Sequence, residues 1–233
     1  MKMRNILENK FWWVARFFAA VALFSVSTIS ANIFITEIAD PNGDEALRFV
    51  ELHNNGSADI DLAAEGYKIQ RWTNGNADPT ASSVKDLTGA ISAGGFYILV
   101  PGDGSAFQAA YGFAADQVIG NGGAADSNGD DQIAITNASG DIVDIFGVPG
   151  EDGTGTAHEF EDGRAERVAT VTSGSATWVA TEWNIDNDAG AGDGAITAPG
   201  GYDPGAWIGA TTQPTGTDVM FTVTDETESY TNI

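Results

Sequence analysis

Apolar and polar residues alternate along this chain in short runs, and turns rich in Gly, Asn and Asp separate the runs. That period of two, broken every few residues, predicts an all-β protein. Residues 33–38 (IFITEI) form the first β-rich run, and Pro41-Asn42-Gly43-Asp44 turns the chain. Residues 47–52 alternate in part and predict the next strand. There Glu51 shares a face with Phe49, opposite Val50 and Leu52. After a turn at Asn54-Asn55-Gly56-Ser57 come a short strand at 60–62 and a cleanly alternating one at 67–72. The latter sets Tyr67, Ile69 and Arg71 against Lys68, Gln70 and Trp72.

Residues 96–100 (FYILV) are continuously apolar, the pattern of a strand buried on both faces. One short helix is expected at 106–113. Residues 133–136 and 142–146 flank Asn137-Ala138-Ser139-Gly140 and read as a hairpin. Weaker strands are expected at 164–171 and 177–183, and loop from 186 to 205. Residues 210–217 have linker composition, and 218–233 read as the start of a second β module or a C-terminal strand. At the other end, Lys2, Arg4 and Lys10 precede an uncharged apolar run at 17–27, with Ala31 as a small residue for cleavage. Residues 1–31 therefore read as a signal peptide, because Arg16 leaves too short an apolar run for a membrane span. The main domain is expected over 32–209.

Charge changes this picture more than composition does. Without residues 1–31, 6 basic and 32 acidic side chains remain, a net charge of −26 against −23 for the whole chain. Such a field repels phosphate backbones and argues against nucleic acid as a partner. With 42% hydrophobic residues the chain can still bury a core. It has no cysteine, which removes disulfides and thiolate metal sites.

The run FITEIADPNGDEALRFVELHNNGSADIDLAAEGYKI resembles the opening of the lamin tail domain, in the form found in secreted bacterial proteins. SAGGFYILV, NGDDQIAITNASGDIVDIFG and the stretch from His158 to Gly209 extend the resemblance. It implies an immunoglobulin-like β-sandwich and a non-catalytic module for interaction or targeting. Lamin tail domains of animal lamins are nuclear and bind proteins and DNA, a role that the leader and the charge oppose here.

Glu51 is the mid-strand carboxylate of the family pattern. Its expected role is structural, as an ion pair with Arg48 or Arg164 or as a backbone latch. Trp183 and Trp207 occupy family tryptophan positions and are expected to be structural. Asp126, Asn128 and Asp130 stand at alternate positions, as oxygen ligands do in calcium loops, and Asp131 follows them. Asp131 stands where an EF-hand has Gly, and Asn137 where it has its last Glu, so an acidic turn capping a hairpin is the competing reading. Asp186, Asp188 and Asp193 form a second acidic loop with the same two readings. Calcium is the one cofactor these loops suggest.

His53 and His158 are too far apart in sequence, and cysteine is too absent, to suggest zinc. No G-x-S-x-G elbow is present. Glu159 and Glu161 would share a face if their segment were a strand. Trp72, Tyr97, Trp178, Trp183, Tyr202 and Trp207 would offer a glycan platform if they were exposed. The sequence therefore points to a secreted, non-enzymatic interaction module for a protein, glycan or surface partner. The alternatives are an N-terminal accessory module of a larger extracellular hydrolase and a calcium-stabilised adhesin module.

Overall fold

The computed structural model describes residues 32–192, 194, 196–199 and 201–210. The leader, residues 211–217 of the linker and the segment 218–233 lie outside them, as does Asp193. The described chain is built from two main sheets, antiparallel except at one edge of the larger. The larger contains, in spatial order, β12 (Trp183–Asp186), β11 (Arg164–Arg167), β1 (Ile33–Ala39), β2 (Phe49–Asn54), β7 (Phe96–Val100) and β8 (Gln117–Val118), the last parallel to its neighbour. The smaller contains β10 (Ile142–Phe146), β9 (Gln132–Thr136), β4 (Lys68–Trp72) and β5 (Lys85–Asp86). A two-residue ribbon pairs β3 (Ile60–Asp61) with β6 (Ala90–Ile91), and one short helix, α1 (Ser105–Tyr111), lies beside the larger sheet. Among the described residues no helix is long and apolar enough to cross a membrane.

The core lies between the sheets. Ile33, Ile35, Ile38, Val50, Leu52 and Leu99 meet Ile69, Ile133, Ile135 and Phe146, all essentially inaccessible to solvent. Each such side chain contributes roughly 1.5–3 kcal/mol on burial. The first strand keeps its alternation only because of a β-bulge. Ile35 pairs with Leu52, but the next paired residue is Glu37, opposite Glu51, so Thr36 is the extra residue. Ile35 and Ile38 can then both face the core, while Glu37 and Ala39 point to the outer face of the sheet.

A bulge interrupts the ladder's hydrogen bonds, and one side chain from each sheet supplies a replacement. The Ile35 N–H donates to Asp144 Oδ2 at 2.8 Å, and Arg167 Nε donates to the Ile35 carbonyl at 3.2 Å. Asp144 reaches inward from β10, itself bulged between Ile142 and Asp144.

Several sequence expectations shift. The second strand begins at Phe49, because Glu45–Leu47 is a 3-10 turn in which the Ala46 N–H donates to Asp44 Oδ1 at 3.2 Å. The strand expected at 177–183 is not there. Ala180–Glu182 makes a 3-10 turn, and the strand is Trp183–Asp186, which meets the expected strand only at Trp183 and the expected loop only at Asp186. Residues 159–161 are not a strand either, so Glu159 and Glu161 do not form a paired face. Five of the six aromatic residues considered as a platform are buried: Trp72, Tyr97, Trp183, Tyr202 and Trp207.

Candidate functional site

Strand register brings together side chains that lie far apart in sequence, on the outer face of the larger sheet. Glu37 pairs with Glu51 on one side and with Glu166 on the other, so three glutamates form one row across β2, β1 and β11. One row away, Ala39 pairs with Arg164 and Arg164 with Asp186. On the other side of the glutamates, Phe34, His53 and Phe96 form an aromatic row.

The segment 201–210 crosses these rows as a strap. Tyr202 packs on Phe49 and Trp207 on Phe34, with ring centroids 6.4 and 5.4 Å apart. The Trp207 indole N–H donates to the Arg167 carbonyl at 2.6 Å, and Arg164 Nη1 donates to the Gly201 carbonyl at 2.5 Å. Between these anchors the Gly205 N–H donates to Glu51 Oε2 at 2.6 Å. Gly205 has φ +94°, which glycine adopts without strain.

Glu51 is fully buried, and its other oxygen, Oε1, lies 2.6 Å from Thr36 Oγ1. Burial pushes its pKa up to about 8, against the Thr36 and Gly205 hydrogen bonds, with Asp203 and Glu166 adding to the rise. Glu37 is also buried, and neither of its carboxyl oxygens has a hydrogen-bond partner. Its pKa stands well above the ordinary value, first from burial, then from Glu51 beside it, with Arg164 opposing. The Arg164 guanidinium lies between the carboxylates, with its nitrogens 3.7 Å from Glu37, 3.9 Å from Glu166, 3.5 Å from Asp186 and 3.7 Å from Asp203. The Tyr111 and Tyr202 hydroxyls lie buried without partners, and burial raises both pKa values.

The Gly205 N–H thus gives Glu51 a backbone hydrogen bond. Of the two arginines considered for an ion pair with Glu51, Arg48 bonds Asp40 at 2.6 Å and Asp126 at 3.2 Å, and Arg164 is shared as above. Trp183 is buried in the sandwich core, and the Arg167 guanidinium sits 4.1 Å from its ring centroid. Trp207 holds the strap.

The two acidic loops are arranged differently. Asp126 accepts from Arg48 and, at 2.7 Å, from the Gly122 N–H. Asp131 pairs with Arg71 at 2.8 Å, while Asp130 accepts from Asn74 Nδ2 at 2.9 Å and keeps Oδ1 buried without a partner. Asn128 and Asp188 are exposed. Asp186 accepts from the Gly194 N–H at 3.0 Å. Among the described residues no three His, Asp or Glu side chains are placed to hold a metal ion. The segment 159–162 joins the loops: the Phe160 N–H donates to the Gly129 carbonyl at 2.7 Å and the Asp188 N–H to the Glu161 carbonyl at 2.8 Å. Gly129 has φ +98°, and a Cβ there would sit 2.2 Å from Glu161 Cα, so the join requires glycine.

The histidines stay apart. His53 packs against Phe34 and Trp207, His158 against Phe146 and Trp178, and burial lowers both pKa values.

The glutamate row went unseen in the sequence. Glu37 sits in a plain I-x-E-I run, and nothing local places it beside Glu166. Two comparisons bear on the chain. A family model described as Lamin Tail Domain matches residues 27–198, well over half of the chain. No curated protein matches it.

Proposed function

The chain belongs to the lamin tail domain family, whose fold is an immunoglobulin-like β-sandwich, and on that premise we propose a secreted, non-catalytic interaction module spanning residues 32–209. It would position a larger assembly on a protein or surface partner outside the cell. The observation that carries this reading is where the arginines go. Arg48, Arg71, Arg164 and Arg167 each end on carboxylates inside the fold. The lysines remain for the surface, and Lys68 is already paired with Asp86. The outer surface is therefore anionic, a field that steers basic protein patches toward the domain and repels nucleic acid.

Export is tested by recovering the protein outside the cells with its amino terminus at residue 32. Retention of a chain starting at Met1 in the cell would contradict it. The non-catalytic reading is tested by incubating purified protein with DNA, a phosphomonoester and a polysaccharide. Robust turnover of any of them would overturn it.

A calcium-stabilised module is the second reading, and the unpartnered Oδ1 of buried Asp130 favours it. A melting temperature that rises with calcium and falls with chelator supports it, and identical curves count against it.

A further inference from the structure

We propose that an apolar groove at the edge of the smaller sheet, between residues 142–149 and 176–178, takes one aliphatic or aromatic side chain of a partner segment whose flanking residues are Lys or Arg. The proposal rests on the reading of the chain as an interaction module and names the chemistry of the partner.

β10 is an edge strand of the smaller sheet. Its Phe146 and Val143 belong to the sandwich core, while Ile145 joins Trp72 and Ala134 in a separate apolar cluster, against which Ile142 and Trp178 pack. That cluster is not fully roofed. A groove of about 190 Å³ opens beside it, walled by Ile142, Ile145, Val148, Pro149, Thr177 and Trp178. An apolar cavity of about 150 Å³ holds a benzene ring, so the groove has room for one side chain of Leu or Phe size. Val148 stands 42% exposed at its mouth, and Val179, 40% exposed, follows Trp178. Covering such a surface removes apolar area from water, which favours a partner with an apolar anchor.

Charge selects what flanks the anchor. Asp141, Glu151 and Asp152 are exposed in the segments that enter and leave the groove's walls. The Glu151 N–H donates to the Val148 carbonyl at 3.0 Å, which holds this residue in the same turn as the groove's mouth. Its carboxylate lies 3.6 Å from His158, whose ring centroid is 5.3 Å from that of Trp178. Among the described residues the lysines are Lys68 on β4 and Lys85 on β5, at the opposite side of the sheet from β10. An anionic rim around an apolar slot therefore attracts cationic neighbours of the anchor and disfavours acidic ones. The chain's own residues 211–233 carry Asp218, Asp225, Glu226 and Glu228 with no Lys or Arg, and a second copy brings the same acidic surface. Both suit the groove less well than a basic segment from another protein.

The test uses the full chain and a synthetic probe, the capped peptide Lys-Lys-Leu-Lys-Lys, followed by two-dimensional NMR of the backbone amides. Saturable shifts should be confined to residues 142–152 and 176–179. Replacing the probe's Leu by Gly should weaken binding about tenfold or more, and replacing its Lys by Glu should abolish it. About 1 M salt, which screens charges beyond about 3 Å, should weaken the Lys probe severalfold. Val148→Lys alters an exposed side chain that the fold does not need, and should weaken binding about tenfold. The proposal is overturned if no saturable shift appears up to about 2 mM probe, if the shifts fall elsewhere, if the Gly probe binds as tightly as the Leu probe, or if Val148→Lys binds as the wild type does. It is also overturned if deleting residues 211–233, or diluting the protein, moves the groove's resonances by itself, because the occupant would then be the chain's own tail or a second copy. Each of these results strikes the groove alone, since the exported, non-catalytic module stands or falls on the export and turnover assays.

Discussion

Two buried arginines, three residues apart on one strand, live in opposite electrostatic circumstances. Arg167 faces the smaller sheet and meets Asp144 at 2.6 Å, with Glu182 at 3.0 Å. Asp144 also accepts from the Ile35 and Ser175 amides at 2.8 and 2.9 Å. Burial raises the Asp144 pKa, and the arginine and both amides oppose the rise. Arg164 faces outward and lies 3.5–3.9 Å from Glu37, Glu166, Asp186 and Asp203, while Glu37 accepts no hydrogen bond among the described residues. The first cluster is matched donor to acceptor and ties the two sheets together across a bulge. In the second, both Glu37 carboxyl oxygens lack a hydrogen-bond partner, and burial holds the pKa of Glu51 beside it well up. Burial of charge therefore stabilises or stores conflict according to the number of donors, not to depth alone.

The largest effect expected from breaking this comparison is at the matched cluster. Arg167→Ala leaves Asp144 buried without its cation and should cost about 3–5 kcal/mol in urea denaturation. A cost under about 1 kcal/mol would show that the two amides suffice. Next is the strap anchor. Trp207→Ala removes a buried indole and the hydrogen bond to Arg167, and should cost about 3 kcal/mol or destabilise the strap alone. Amide exchange separates these outcomes: a local effect confines faster exchange to 201–210.

Protonation gives a pH-dependent effect of opposite direction at the crowded cluster. Glu51 has an ordinary value of 4.5 and is held at about 8 in the fold. The folded chain keeps a proton that the unfolded chain releases, so stability is undiminished below about pH 4.5. It falls through the interval up to about 8, by at most about 1.4 kcal/mol per pH unit, and levels off above it. The smallest effect belongs at the surface. Lys68→Ala removes an exposed pair with Asp86 and should change stability by about 0–0.5 kcal/mol. That value sets the scale against which both buried clusters are read.

How much of this was legible in the sequence depends on the distance each argument had to span. Period-two alternation placed the strands of β1, β2, β4, β7, β9 and β10, and it placed Glu51 on the face of Phe49, opposite Val50 and Leu52. A backbone latch on Glu51 followed from the need to satisfy a buried carboxylate. The latch's donor, Gly205, lay in a stretch that reads only as loop.

The bulge at Thr36 was invisible because one extra residue leaves no local mark in IFITEI. So was the pairing of Glu37 with Glu166, which depends on which strand becomes the neighbour. The last strand was misplaced by several residues. Thr177 and Trp178 have strand propensity, but Trp178 packs against Phe146 and His158 instead, and the chain turns through Ala180–Glu182 before pairing.

The most direct test of the donor-poor cluster compares wild type with Glu51→Gln in urea at pH 5.5 and pH 8.5. Wild type should lose stability between the two, while the variant should match it at pH 5.5 and exceed it by about 2–4 kcal/mol at pH 8.5. Parallel losses in both proteins would contradict the account, because Glu51 would then hold no proton that folding must keep.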